Sequence, residues 1–462
     1  MPNRTGSTDR SIPATSASRK PGRRLPVRLS AAALVGVFLV VPAAAQPLSG
    51  GQATATDLCQ GQVATIVGTA DQRHMRGTIG PDVIVTGGGD SVKALEGDDG
   101  VCVTGSTRRL NTGDGHDHVR TSNGRTRTGV SLGRGDDTFS GGNRVDFVSP
   151  GRGTDHVATG GGNDGYFDGG FSLRFSDDVV ALGPGNDRAV TPPNPAGTVN
   201  GGAGSNELVP KVDFDTEPGP WTFDNVTETG TNPDGTRFVW RNFQEFTFAP
   251  GFDGAAVTFA GSGRDERVSV DRFFEFGPSL RSVDMGAGDD RVTFDSTVGH
   301  ADGGPGHDRL DVQDLGDPHD AGFVPAIGVD LRAGQLRTEG VRRNAVSFED
   351  LLVSNFGVVE LAGNGRENSM TVGHACSVHM TGRGGRDRLV ARPGGVCEEY
   401  QADPDVPRRV VAFGSAGNDE LVGRETSDVL VGGPGRDSAD GRAGHDRCAA
   451  EVRRRCEQGG TG

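Results

Sequence analysis

Lysine is almost missing: only Lys20, Lys93 and Lys211 occur in 462 residues. Aromatic residues supply 6% of the chain, with two Trp and two Tyr, and apolar residues only 33%. So little apolar material argues against a large conventional core. After Val41 no apolar run approaches the roughly 20 residues that a membrane-spanning helix needs. There is no Cys-x-x-Cys to suggest a zinc or redox pair, and no His-Glu-x-x-His. Acids outnumber bases, 62 to 47, for a net charge of −15, which argues against a nucleic-acid binder. Glycine is abundant instead, at 76 residues, or 76/462 ≈ 16%. Glycine is costly inside helices, so an ordinary helical enzyme is disfavoured. No strict three-residue period runs through the chain, which excludes collagen. An acidic chain rich in Gly and Asp is either disordered or holds divalent cations.

The length corresponds to about three average domains. Residues 1–45 read as an address. Arg19, Lys20, Arg23, Arg24 and Arg28 precede the apolar run Leu29 to Val41, which ends in Pro42-Ala43-Ala44-Ala45. That is the layout of a secretory signal peptide. Its removal takes away seven bases and one acid, so the balance becomes 40 − 61 = −21. The expectation is a secreted, extracellular chain with no transmembrane segment after cleavage. Cys59, Cys102, Cys376, Cys397, Cys448 and Cys456 all lie beyond the leader, and an even count in an exported chain favours disulfides. Sequence does not fix their connectivity. Nearest-neighbour pairing would give Cys59–Cys102, Cys376–Cys397 and Cys448–Cys456.

A nine-residue beat is clearest near the C-terminus. Gly414-Ser-Ala-Gly-Asn-Asp419 precedes Leu421, and Gly423 to Asp428 precedes Leu430. Gly432-Gly-Pro-Gly-Arg-Asp437 leads to Ala439, and Gly441-Arg-Ala-Gly-His-Asp446 to Cys448. Upstream, Asp82, Asp99, Asp117, Asp137, Asp155 and Asp164 end similar turns, with Ile84, Val101, Val119, Phe139, Val157 and Tyr166 two places on. Asp187, Asn206, Asp290, Asp308 and Asp387 end further copies. Six turn residues and three strand residues make half a coil, so two units make a coil of 18. Aspartates 18 apart then sit on neighbouring coils, about one strand spacing of 4.8 Å from each other. Two carboxylates that close repel by roughly 3 kcal/mol at an effective dielectric near 20. A calcium ion would reverse that sign, taking six to eight hard oxygens from carboxylates and turn carbonyls. A metal-free solenoid, in which Gly-Asp only makes turns, is the competing reading.

These residues resemble the hemolysin-type calcium-binding, or RTX, repeats with pattern G-G-x-G-x-D-x-U-x. The resemblance is strongest at 414–448, irregular at 77–190 and 285–310, and covers about half of the mature chain. It implies an all-β parallel β-roll or right-handed β-helix solenoid with Ca2+ between successive turns. The expected metal ligands are Asp82, Asp99, Asp117, Asp137, Asp155, Asp164, Asp187, Asp290, Asp308, Asp387, Asp419, Asp428, Asp437 and Asp446. Departures are visible. Thr426 replaces the fourth-position Gly, Asn206 replaces an Asp, and the turn at 86–90 is one residue short. Arg134, Arg152, Arg386 and Arg436 occupy variable turn positions, where they could neutralise an aspartate ladder without metal.

The expected organisation is an N-terminal roll at 46–190, a β-helical middle at 191–400 and C-terminal repeats with a disulfide cap at 401–462. The middle holds two blocks, Asn206 to Asp265 and Asp308 to Glu367, each spanning 59 residues and offset by 102, as an internal duplication would be. The one candidate helical turn lies between Cys448 and Glu457.

Enzyme motifs are weak. Gly129-Val-Ser131-Leu-Gly133 fits a nucleophile elbow, and Gly160 to Gly165 fits G-x-G-x-x-G, but neither is followed by a helix pattern. The expected role is a non-catalytic, calcium-binding structural or adhesive protein whose partners are cell-surface or extracellular polymers, not nucleic acid. The alternative is a β-helical polysaccharide-active enzyme, or an accessory module of a secreted toxin or enzyme.

Overall fold

A computed structural model describes residues 58–69, 71–122, 127–168, 177–191, 197–212, 220–250, 256–270, 279–294, 298–313, 326–338, 340–393 and 408–457. The segment expected to be a signal peptide, residues 1–45, and Cys397 lie outside the described residues.

The described chain is built from short strands and contains no helix. It alternates between two sheets. The first includes Gly100–Val103, His118–Thr121, Thr138–Ser140 and His156–Ala158, and the second includes Thr107–Asp114, Thr128–Arg134, Asp146–Arg152 and Gly165–Phe167. Pairing from coil to coil is parallel, with Val101 beside Val119, Phe139 beside Val157, and Leu421 beside Ala439. Those partners are 18 residues apart, so two nine-residue units make one coil, as the spacing predicts. The fold is an all-β parallel solenoid of the β-roll type. In both sheets the strands around residue 190 pair with one another, and so do those before residue 394 and after residue 407.

The apolar residue two places after each turn carboxylate points inward. Ile84, Val101, Phe139, Leu310, Leu389, Leu421 and Leu430 are fully buried and belong to one continuous core. Coil-on-coil stacking of these side chains builds that core from one apolar slot per turn. Glycine permits the approach. A Cβ on Gly435, at φ 154°, would lie 1.5 Å from the carbonyl oxygen of Gly417 in the coil before it.

The two long middle blocks have one topology. Each interrupts the first sheet with a three-strand antiparallel meander: Pro220–Asp224, Thr229–Thr231 and Arg237–Arg241 in one, Ala326–Asp330, Gln335–Thr338 and Val341–Val346 in the other. The opposite sheet takes a single step there, from Glu207–Val212 to Glu245–Pro250 and from Arg309–Gln313 to Asp350–Ser354. The first sheet thus gains two extra strands per block, or about 10 Å. The blocks also share a turn. Asn242-Phe243-Gln244 and Ser347-Phe348-Glu349 both start at positive φ (62° and 59°) and both bury their Phe. The first meander is filled by aromatics, with Phe223 edge-on to Phe238 at 5.2 Å and to Phe248 at 4.7 Å.

The C-terminal segment corrects one expectation. Val452–Arg454 is a strand that adds in parallel to Ser438–Asp440, not a helical turn. It is exposed along its length, which suits a polar terminal coil. Two of the nearest-neighbour disulfides are present, Cys59–Cys102 with Cα atoms 5.5 Å apart and Cys448–Cys456 at 5.9 Å. They staple the two ends of the solenoid. Replacing Cys59 and Cys102 together by Ser should lower unfolding stability by about 2–4 kcal/mol while leaving the strand signal unchanged. Denaturant titration followed by circular dichroism checks this; an unchanged midpoint would show the staple to be dispensable.

Candidate metal-binding ladders

The turn carboxylates form ladders along the solenoid. The backbone N–H of each ladder residue donates to the carboxylate of the ladder residue in the next coil. Asp99 N–H reaches Asp117 Oδ1 at 2.9 Å, Asp117 N–H reaches Asp137 at 2.8 Å, and Asp137 N–H reaches Asp155 at 2.8 Å. On the other sheet Asp290 donates to Asp308 at 2.9 Å, Asp387 to Asp419 at 2.8 Å and Asp419 to Asp437 at 2.9 Å. This ladder fixes the register of coil on coil, and it explains why Asp rather than Asn or Ser recurs only in part. One oxygen does the structural work; the second decides the chemistry.

That second oxygen, Oδ2, is buried and has no hydrogen-bond partner in Asp99, Asp117, Asp137, Asp155, Asp164, Asp187, Asp290, Asp308, Asp387, Asp419, Asp437 and Asp446. The nearby hydroxyls of Thr112 and Thr159 spend their protons on the carbonyls of Leu132 (2.5 Å) and Leu182 (2.7 Å). Burial, with repulsion from neighbouring ladder carboxylates, outweighs the backbone N–H bonds. It pushes Asp99, Asp155, Asp290 and Asp387 up to about 7, and Asp137, Asp187 and Asp308 up to about 6. Asp117, Asp164, Asp419 and Asp446 move the same way, again chiefly by burial. Buried carboxylate oxygens without donors, beside stacked turn carbonyls, are hard ligands of the kind that Ca2+ accepts. Among the described residues no group of three or more His, Cys, Asp or Glu converges on one point. An ion here would therefore rely on turn carbonyls as much as on carboxylates.

Two of the fourteen expected ligands are already satisfied. Asp82 Oδ2 accepts from Thr78 N–H at 2.6 Å and from its hydroxyl at 3.1 Å. Asp428 Oδ2 accepts from Arg424 N–H at 2.7 Å. The structure also adds rungs that the sequence reading left out. Asp146 accepts from Thr121, and Asp178 accepts from the Tyr166 hydroxyl at 2.5 Å. Asp146 lies nine residues from both Asp137 and Asp155, and Asp178 nine before Asp187, so the beat itself could have found both. Gln244 and Glu349 carry the ladder across the middle blocks, taking the N–H groups of Asn206 and Asp308 at 3.0 Å each. Glu451 ends it by accepting from Asp437 N–H at 2.7 Å. The block ends shift by one residue: Glu266 and Asn368, not Asp265 and Glu367, are the ladder residues, donating to Asp290 and Asp387. At Asn206 and Asn368 the side-chain amide donates to the carbonyls of Asn242 (3.0 Å) and Glu349 (2.9 Å), so these rungs are closed by protein alone.

Arg152, Arg386 and Arg436 are exposed, and Arg134 pairs on the surface with Asp114 at 3.4 Å; none enters a ladder. His116 Nδ1 accepts the Asp136 N–H at 2.9 Å. The segment around Ser131 is a strand of the second sheet, without the helix that a nucleophile elbow requires.

The family model described as RTX calcium-binding nonapeptide repeat (4 copies) matches residues 132–166 and 413–448. The chain carries RTX repeats. Both matched segments lie on ladders, and each holds unpartnered Oδ2 atoms, those of Asp137, Asp155 and Asp164 in the first and of Asp419, Asp437 and Asp446 in the second. No curated protein matches the chain.

The raised carboxylates set a pH dependence for the metal-free chain. Their folded-state values lie above the ordinary 3.8, so the folded form holds protons that the unfolded form releases. The stability that this supplies is fully present below about 4 and is lost as pH rises through about 6 to 7. Asp330 and Asp440, held down by Arg383 and Arg455, titrate below that window. In chelator, the melting temperature should be higher at pH 5 than at pH 8. A metal-free chain that gains stability between those values would contradict the burial argument.

Proposed function

We propose that this RTX chain is an exported structural or adhesive solenoid, without catalysis of its own, whose ladders bind Ca2+ between successive turns. The observation that carries this reading is the set of twelve buried Oδ2 atoms without a donor. An ion is the simplest group that can satisfy such an oxygen at neutral pH, where a proton would be leaving. Disulfides at both ends support an oxidising, extracellular setting. Among the described residues no helix is long and apolar enough to cross a membrane. Calcium binding would be linked to folding, because an unfolded chain offers no preformed site. The repetitive, acidic, exposed turns suit a rod that spaces or attaches rather than a site that turns over substrate. Cell-surface or extracellular polymers are the partner class that follows.

One observation gives the polysaccharide-directed alternative a location. On the outer face of the first sheet, Arg337, Gly328, Glu360 and His379 stand in register on four neighbouring strands. Gly328 leaves a gap in this row, and a cleft of about 420 Å³ opens there. Sugar-chain binding or cleavage that is lost in Glu360→Ala would favour this reading.

Millimolar calcium should raise the thermal stability and strand signal of the chain, with magnesium much less effective. Asp419→Ala combined with Asp437→Ala should lower the calcium bound per chain, measured by elemental analysis after dialysis. Equal calcium in variant and wild type would reject these two positions as ligands.

A further inference from the structure

Arg424 is the one buried arginine among the described residues. It holds the second position of the turn Gly423-Arg-Glu-Thr-Ser-Asp428, where the repeat pattern has glycine. Its guanidinium donates from Nη1 to the carbonyl of Ala375 and from Nη2 to the carbonyl of Cys376, and Nε lies 3.3 Å from the Thr426 hydroxyl. Ala375 and Cys376 precede the strand Ser377–Gly384, and Asp428 precedes Val429–Val431; Val410–Ala416 pairs between those two strands. The side chain therefore runs along the inside of a turn column, past one whole coil.

Asp428 is closed on every side. Its Oδ1 accepts from Val410 N–H at 2.8 Å and from the Thr426 hydroxyl at 2.7 Å, and its Oδ2 from Arg424 N–H at 2.7 Å. Thr426 thus replaces the pattern's glycine for a reason: it supplies a donor that an ordinary copy lacks. The contrast lies on the other sheet of the same roll, where Asp419 and Asp437 keep buried Oδ2 atoms with no partner and the nearby Arg436 faces solvent.

We propose that Arg424 is a built-in cation: it occupies the place of a calcium ion at the Asp428 turn, so that this RTX copy is metal-independent while Asp419 and Asp437 remain metal sites. Two arguments support this. A guanidinium presents a planar fork of donors, which can engage two adjacent carbonyls at once and needs no ligand exchange with water. Its single charge also offsets the single charge of Asp428. An added doubly charged ion would leave a buried excess of positive charge beside the guanidinium, at a large desolvation cost. The column would then hold one calcium-independent rung, at Asp428, next to the open rung of Asp446. The coil at 423–431 would stay ordered when calcium is withdrawn.

The inference rests on the calcium reading of the remaining turns, and the test separates the two. Asp428→Asn and Asp437→Asn are compared with wild type in the full chain for calcium bound per chain. Asp437→Asn should lose one ion and Asp428→Asn none. Loss of an ion in Asp428→Asn would overturn the proposal; no loss in either variant would count against Asp437 as a ligand instead. Hydrogen exchange in chelator decides independently of that count. Amides of residues 423–431 should stay protected on calcium removal while those of 432–440 open, and Arg424→Gln should abolish protection at 423–431. Loss of protection at 423–431 in the chelated wild type, to the same extent as at 432–440, would overturn the proposal.

Discussion

A buried carboxylate shared between coils governs this solenoid. One oxygen takes the N–H of the coil before it, which locks the register of a chain otherwise held by strands of two to eight residues. The other oxygen is turned into the same dry corner. A buried acceptor left without a donor costs about 1–3 kcal/mol, and more when it is charged. Repeated along a ladder, that cost is too large for the fold to carry unanswered. The protein must therefore bring a proton, a cation or a donor of its own to each rung. The variation among its turns can be read as a choice among those three.

Both kinds of protein donor occur, neutral and charged. Thr78, Thr121 and Tyr166 hydroxyls close the rungs at Asp82, Asp146 and Asp178. Amides replace carboxylates at Asn206 and Asn368, where the NH2 group does for neighbouring carbonyls what an ion would do. At Asp428 the backbone N–H groups of Val410 and Arg424 and the Thr426 hydroxyl close the rung, while the Arg424 guanidinium takes the carbonyls of Ala375 and Cys376. Elsewhere the second oxygen is left to an ion or a proton. A solenoid assembled this way need not respond uniformly to calcium. On the proposed reading, rungs closed by protein would hold their coils at any ion level, and open rungs would make the coils between them conditional.

The repeating part of this fold was legible in the sequence because its period is local. A glycine-rich turn, an aspartate and an apolar residue two places on require nothing distant, and Leu421, Leu430 and Ala439 are buried as their spacing predicts. The meanders were not legible, because pairing Thr198–Asn200 with Arg237–Arg241 rather than with the next strand in sequence depends on contacts about 40 residues apart. Substitutions in the ladder were hidden for a different reason. Gln244, Glu349 and Glu451 do an aspartate's work with longer side chains, outside any glycine turn. Asp146 and Asp178 are on the beat but lack the fourth-position glycine of the repeat, having Arg144 and Ser176 there. The division of the carboxylates into open and closed rungs could not be read from one repeat at all, since the deciding donor often belongs to another coil: Thr121 for Asp146, or Val410 for Asp428.

The most direct test of the central claim is a crystal structure of the calcium-loaded chain with anomalous scattering to locate the ions. The account predicts ions 2.3–2.6 Å from the Oδ2 atoms of open rungs such as Asp419 and Asp437, the ordinary range for Ca–O contacts. Ions bound only at exposed carboxylates such as Asp98 and Asp136, with those buried oxygens still bare, would contradict it.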